Sequence, residues 1–222
     1  MTLRPAALAL LVCACSSTPN APVRPTLAPA SSKDELSSPA TKFERVALKR
    51  FRLSIELPDG AAWHPVRKKS RFLELEHAAS GSSLIVRSWL ASDRMSAASC
   101  EAEARLYREF PGGGELLASE RRGIAAYDAE VRVGLLAPVA QPDAGAASQA
   151  PRIQGYVTAF GARGRGCLAV SFTTEASGPL ARTKVEDRLA LVDERTLSSL
   201  RTLEALSPEL RESREPGDTA PR

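Results

Sequence analysis

Aromatic residues make up only 5% of this 222-residue sequence, and histidine occurs twice. With so few rings, a core has to be built mainly from Leu, Val and Ala. With so few histidines, a metal site needs His64, His77, Cys100 and Cys167 to converge, unsupported by any Cys-x-x-Cys or His-Glu-x-x-His spacing. No metal or cofactor is therefore expected. A dense basic run is missing too: 30 Lys and Arg stand against 26 Asp and Glu, a net charge of +4, with the signs interspersed. A phosphate backbone favours concentrated positive charge, so nucleic acid is not an expected partner.

What is present at the start is an export signal. One positive charge, Arg4, precedes the apolar run Ala6-Ala7-Leu8-Ala9-Leu10-Leu11-Val12. That run is too short to span roughly 30 Å of hydrocarbon as a permanent helix, and the layout matches a secretory signal peptide over residues 1–14. From Ser16 to about Ala40 the chain carries Pro19, Pro22, Pro25, Pro29 and Pro39 among Ser and Ala. Such a segment has little apolar surface to offset the entropy of ordering, and residues 15–40 are expected to form an extended tether.

Val12-Cys13-Ala14-Cys15 resembles the lipobox of bacterial lipoproteins, in which a small residue precedes the cysteine that takes the lipid. Cys15 follows Ala14, whereas Cys13 follows the bulkier Val12, so Cys15 is the expected attachment site. The resemblance implies a diacylglyceryl thioether on Cys15, usually with an acylated amine. At about 0.8 kcal/mol per buried methylene, two or three chains hold a protein to a membrane far more firmly than one. Ser16, not an acidic residue, follows the anchor, which resembles lipoproteins sent to the outer membrane, facing the periplasm.

The rest of the sequence, residues 41–206, predicts one folded domain, and 207–222 a disordered charged tail. Phe51, Leu53, Ile55 and Leu57 alternate with polar residues on a first strand that ends at Pro58-Asp59-Gly60. Further strands are expected at Arg71–His77 and at Ser83–Leu90, the latter more central because of Leu84-Ile85-Val86. The period then changes to 3.6 over Ser96–Phe110, with Cys100, Ala104 and Tyr107 on one stripe, Leu106 and Phe110 beside it, Ser96 or Ser99 as the cap, and Pro111-Gly112-Gly113-Gly114 as the stop. Strands are expected again at Glu115–Ser119, Ala125–Leu136, Arg152–Phe160 and Cys167–Thr174. A flexible insertion at Ala137–Pro151 and a turn at Gly161–Gly166 separate the last three. A closing helix is expected from Leu180 to Leu206 through Val185, Leu189, Val192, Thr196, Leu200 and Leu203. Strands, helix, strands, helix imply an α+β fold, an antiparallel sheet packed against helices.

The run Phe51-Arg52-Leu53-Ser54-Ile55-Glu56-Leu57-Pro58-Asp59-Gly60, with Trp63 soon after and this element order, resembles the PsbP-like fold. That fold is named for the extrinsic P subunit of photosystem II and is shared by a yeast nuclear-import factor and many small bacterial proteins. The resemblance covers Phe43 to Leu206 and implies an α/β/α sandwich with a binding or assembly role. It carries over no catalytic residue.

With Cys15 lipidated, Cys100 and Cys167 remain as an even pair in an oxidising compartment, one on the inner stripe of a helix and one at the start of a strand. A disulfide between them is expected, with two separate buried thiols as the alternative. No Gly-x-Ser-x-Gly elbow points to hydrolysis, and neither His64 nor His77 is marked as a base. His64 reads as a turn residue and His77 as a strand end, while the acidic pairs Glu74/Glu76 and Asp93/Glu101 carry no sign of a proton donor. Arg163 and Arg165, with Lys68, Lys69, Arg121 and Arg122, are candidates for meeting anionic headgroups, although scattered basic turns usually face water. The expected function is thus noncatalytic: a lipid-anchored envelope protein that presents its domain to a protein partner. A carrier of a small apolar or anionic ligand is the alternative, and an envelope hydrolase the third.

Overall fold

Alternation of apolar and polar residues along adjacent strands is what organises the fold. The computed structural model describes Leu36 and residues 42–66, 70–137 and 152–202, all within the unit Ser32–Arg222. The residues expected to form the signal peptide, Cys15, the segment expected to be a tether other than Leu36, which is buried in the main core, most of the Ala137–Pro151 insertion and the expected tail lie outside the described residues.

The described residues form a mostly antiparallel β-sheet protein with two helices, an α+β fold. The main sheet has seven strands: β3 (His64–Pro65), β4 (Leu73–His77), β5 (Ser82–Leu90), β6 (Glu115–Ile124), β7 (Tyr127–Leu135), β8 (Arg152–Arg163) and β9 (Gly166–Ser177). Their spatial order is β3-β4-β5-β9-β8-β7-β6, and every pair is antiparallel. Two meanders are therefore joined through α1 (Ala97–Arg105), which carries the chain from β5 to the far edge so that β9 returns beside β5. A smaller sheet pairs β1 (Phe43–Leu48) and β10 (Arg201–Thr202) with either side of β2 (Leu53–Pro58).

Each face of the main sheet has its own core. Odd residues of β7 and β8 and even residues of β5 and β9, among them Val131, Val157, Val86, Val170 and Phe172, join Leu53, Ile55 and Leu57 of β2 and Val185 and Leu189 of α2 (Ala181–Leu191). On the opposite face Ile85, Phe160 and Ala169 pack with Ala104 of α1, Phe72 and Phe110. Close approach of α2 to the sheet depends on Gly155: a Cβ there would sit 2.5 Å from Val185 Cγ1.

Several elements differ from expectation. Phe51 does not begin the strand, because Arg52 adopts a left-handed φ of 51° and turns the chain just before β2. The strand β1 carries too weak an alternation to be read from sequence, since only Leu48 of its six residues is buried. Helix α1 starts at the expected cap, where Ser96 accepts from the Ser99 amide, but it ends at Arg105, well before the glycines. As a result Tyr107 is half-exposed instead of lying on the inner stripe, Leu106 beside it is exposed, and Phe110 is buried from a loop. The strand expected at Glu115–Ser119 runs to Ile124, since hydrogen bonding to β7 sustains it along an edge with little burial. The turn expected over Gly161–Gly166 shrinks to Gly164-Arg165, with Gly164 at φ 60°. The closing helix passes into a π-helical turn at Val192–Leu197 and gives way to β10, so it does not continue to Leu206.

Candidate functional site

The even-numbered residues of β7 and β8 point toward the face that α1 crosses. Because α1 is only nine residues long, it leaves part of that face uncovered. The loop from Pro111 to Gly114 bounds an open cleft of about 350 Å³, whose walls include Arg105, Leu116, Arg132, Tyr156 and Thr158. That volume is at the lower end of small-ligand sites.

Charge in the cleft is balanced. Arg105 Nε donates to Glu101 Oε1 at 3.0 Å and its Nη1 to the Phe110 carbonyl at 2.9 Å. Arg132 Nη1 donates to the same Glu101 oxygen at 2.9 Å, and its Nε to Glu130 at 2.9 Å. Burial alone would raise the Glu101 carboxyl, but hydrogen bonds from Arg132 and Arg105 overcome it and hold the group below the usual carboxylate range. Tyr156 Oη donates to the Gly113 carbonyl at 3.3 Å, tying the glycine loop to the sheet. The lining offers guanidinium and hydroxyl donors but no imidazole, thiol or carboxylate. Such a wall can orient a ligand by hydrogen bonds; it holds no general base beside the Thr158 hydroxyl.

A second polar constellation lies on the opposite face. His77 is fully buried, its Nδ1 2.8 Å from Ser80 Oγ and its Nε2 3.3 Å from Asp59 Oδ2. Ser80 Oγ in turn donates to Ser82 Oγ at 2.8 Å, Ser82 Oγ to Thr174 Oγ1 at 2.8 Å, and Arg188 Nη1 reaches Thr174 Oγ1 at 3.0 Å and the Ser80 carbonyl at 2.9 Å. Serine, histidine and aspartate in a row invite comparison with a hydrolytic triad. The wiring is reversed, with the acid on Nε2 and the serine on Nδ1, and the hydroxyl is enclosed by a chain of further hydroxyls. The row reads as a buried network that joins the β2–β3 turn, β4, β5, β9 and α2, each polar group satisfying the next.

Cys100 and Cys167 form a disulfide, with Cα atoms 5.5 Å apart and both residues fully buried. It fastens α1 to the start of β9. Cys15, Lys68 and Lys69 lie outside the described residues. His64 is exposed on the short strand β3, far in role from the buried His77. Glu74 is buried and accepts from Arg108 Nη1, whereas Glu76 is exposed. Asp93 accepts from Ser92, while Glu101, outside the lining, holds the cleft arginines Arg105 and Arg132. The β6–β7 and β8–β9 turns share one end of the sheet, but Arg121 is paired with Asp128 and Arg122 with Asp193 and Glu120. Those two arginines are therefore neutralised locally and do not add to Arg163 and Arg165. Among the described residues no group of three His, Cys, Asp or Glu is placed to hold a metal ion, and no helix is long and apolar enough to cross a membrane. Sequence reading missed Arg105, Arg132, Tyr156 and Thr158 as cleft residues; the shared parity of Arg132, Tyr156 and Thr158 on paired strands was the available signal.

The class that the coordinates define is an α+β protein with a helix on each face of a mostly antiparallel sheet. No known family profile matches the chain, and no curated protein matches it. Similar solved structures include a protein from Bacteroides thetaiotaomicron, 9% identical, with 80% of this chain and 51% of that one covered and a TM-score of 0.41. The chain thus spans about half the length of that protein. The Ran-binding protein Mog1p of Saccharomyces cerevisiae is 10% identical over 74% of this chain and 97% of its own, with a TM-score of 0.47. A variant of a Mog1 protein is 11% identical over 73% and 96%, with a TM-score of 0.48.

Proposed function

We propose that this protein is an exported lipoprotein, acylated on Cys15, whose residues 15–40 tether a PsbP-like domain that binds a protein partner in the bacterial envelope. The anchor places the domain at the outer membrane, facing the periplasm, and the role is noncatalytic. The observation that supports this reading is the Cys100–Cys167 disulfide, since such bonds persist in oxidising compartments and are rare in reducing ones. Labelling cells with radioactive palmitate tests the anchor: label enters the intact protein and is lost in Cys15→Ser, which moves to the soluble fraction. A Cys15→Ser product that remains labelled and membrane-bound overturns the assignment. Crosslinking in intact envelopes, followed by identification of neighbours, tests the partner; no reproducible neighbour under several conditions counts against it.

A second reading, a carrier of a small anionic or apolar ligand, is favoured by the cleft beside Arg105 and Arg132. Native mass spectrometry of the purified lipoprotein checks it. A small molecule retained by the wild type and lost in Thr158→Val supports a carrier, and a bare mass in freshly extracted protein rejects it.

A further inference from the structure

On the α1 side of the sheet most arginines hold a carboxylate: Arg105 and Arg132 share Glu101, and Arg108 binds Glu74. Two do not. Arg87, on β5, has its guanidinium carbon 4.5 Å from the centre of the Trp89 ring, 5.2 Å from Phe72 and 5.2 Å from Tyr107. Arg71 lies 4.4 Å from the same Tyr107 ring. Neither forms an ion pair with a carboxylate of the described residues; Glu103 acts on Arg87 only through its charge.

The cluster also contains two buried donors without acceptors, Arg87 Nη1 and Trp89 Nε1. Neither group can accept a hydrogen bond, so no rearrangement between them satisfies either one. Aromatic faces stabilise a guanidinium through its charge but leave its N–H groups without acceptors. Burial accordingly pulls Arg87 below the usual arginine range. What the cluster lacks is an oxygen acceptor with negative charge. Beside it, Leu106, next to Tyr107, is 79% exposed.

The geometry points to a docking surface for an acidic segment of a protein partner, with one carboxylate accepting from Arg87 Nη1 and Trp89 Nε1. Arg71 supplies a second positive charge, and an apolar residue flanking the acid covers Leu106. Tyr107, half-exposed on the turn after α1, is the side chain that moves aside to admit the carboxylate. A free anion would satisfy the donors but leave Leu106 in water, whereas Trp, Tyr and Arg together are the composition of protein-binding hot spots. This surface rests on the partner-binding reading above and names the chemistry of that partner.

The test uses the full lipoprotein in detergent and two labelled peptides, one of three Leu-Glu repeats and its Leu-Gln counterpart, followed by fluorescence anisotropy. The Glu peptide is expected to bind about tenfold more tightly than the Gln peptide. Arg87→Gln and Arg71→Gln each remove most of that preference, and Trp89→Phe, which keeps the stack but not the donor, weakens it. Near-ultraviolet circular dichroism checks that each variant folds; if Arg87→Gln does not, Arg87→Lys, which retains charge without the planar fork, takes its place with a partial loss. Equal binding of the two peptides to the wild type overturns the proposal, as does a preference that survives in the Arg71→Gln, Arg87→Gln double variant. Displacement of the Glu peptide by inorganic phosphate or phosphatidylglycerol vesicles, at concentrations where neutral vesicles have no effect, overturns it in favour of a phosphate site. A peptide preference without any neighbour in envelope crosslinking leaves this surface standing and removes the envelope-partner reading instead.

Discussion

Single side chains carry the most direct consequences. Glu101 is held below its ordinary value near 4.5, burial being overcome by Arg132 and Arg105. In the folded protein it therefore stays ionised at pH values where the unfolded chain has begun to take up a proton. Its stabilising contribution is full above about 4.5 and is lost as pH falls through the lower, folded value. Thermal unfolding measured across that range should show Glu101→Gln less stable than wild type at neutral pH, with the difference shrinking in acid. A difference independent of pH would contradict the assignment. At this scale Cys100 and Cys167 were legible before the fold was known, because cysteine chemistry depends on count and compartment. Arg87 and Trp89 were not: in a strand they differ in no local way from any other pair two residues apart, and only the rings of Phe72 and Tyr107, brought from elsewhere, define their surroundings.

At the scale of elements, two places store a testable cost or constraint. The β6–β7 hairpin turns through Ala125 and Ala126, whose φ values of 49° and 70° are both positive. Two-residue hairpins of this hand prefer Asn-Gly, and an alanine in left-handed conformation costs about 1 kcal/mol. Replacing Ala125-Ala126 with Asn-Gly should raise stability to chemical denaturation by about 1–2 kcal/mol. An unchanged or lower midpoint would show that the turn is not strained. The opposite sign is expected at Gly155, where a methyl group has no room beneath Val185 and Leu189. Gly155→Ala should destabilise by about 1–3 kcal/mol, measured by the same unfolding experiment, through displacement of α2 from the sheet. The alternation of β7 and the apolar run Leu84-Ile85-Val86 of β5 announced these strands in the sequence, since β7 has one face in the larger core and β5 lies between cores on both faces. Of the edge strands, β1 was not announced and β6 only over Glu115–Ser119, because an edge is sustained by backbone hydrogen bonds that leave little period in the side chains.

For the molecule as a whole, the disulfide joins positions separated by 67 residues, spanning α1, β6, β7 and β8. On chain-entropy grounds closing that loop contributes about 4 kcal/mol. The Cys100→Ser, Cys167→Ser double variant should lose stability of that order in denaturant titration, and equal midpoints with and without reductant for the wild type would show that the bond does not constrain the unfolded chain. The parts of this protein that sequence alone determined are those set by local composition and spacing. They include the small number of rings in the core, the alternation that commits the inner strands, the serine cap of α1 and the α+β class. Where α1 ends, which arginines find carboxylates, and how His77 meets Ser80 and Asp59 were decided only by tertiary structure. Apart from local pairs such as His77 with Ser80 and Arg105 with Glu101, these features depend on residues brought together from separate elements, and a strand's own pattern states which face is buried without stating what will lie against it.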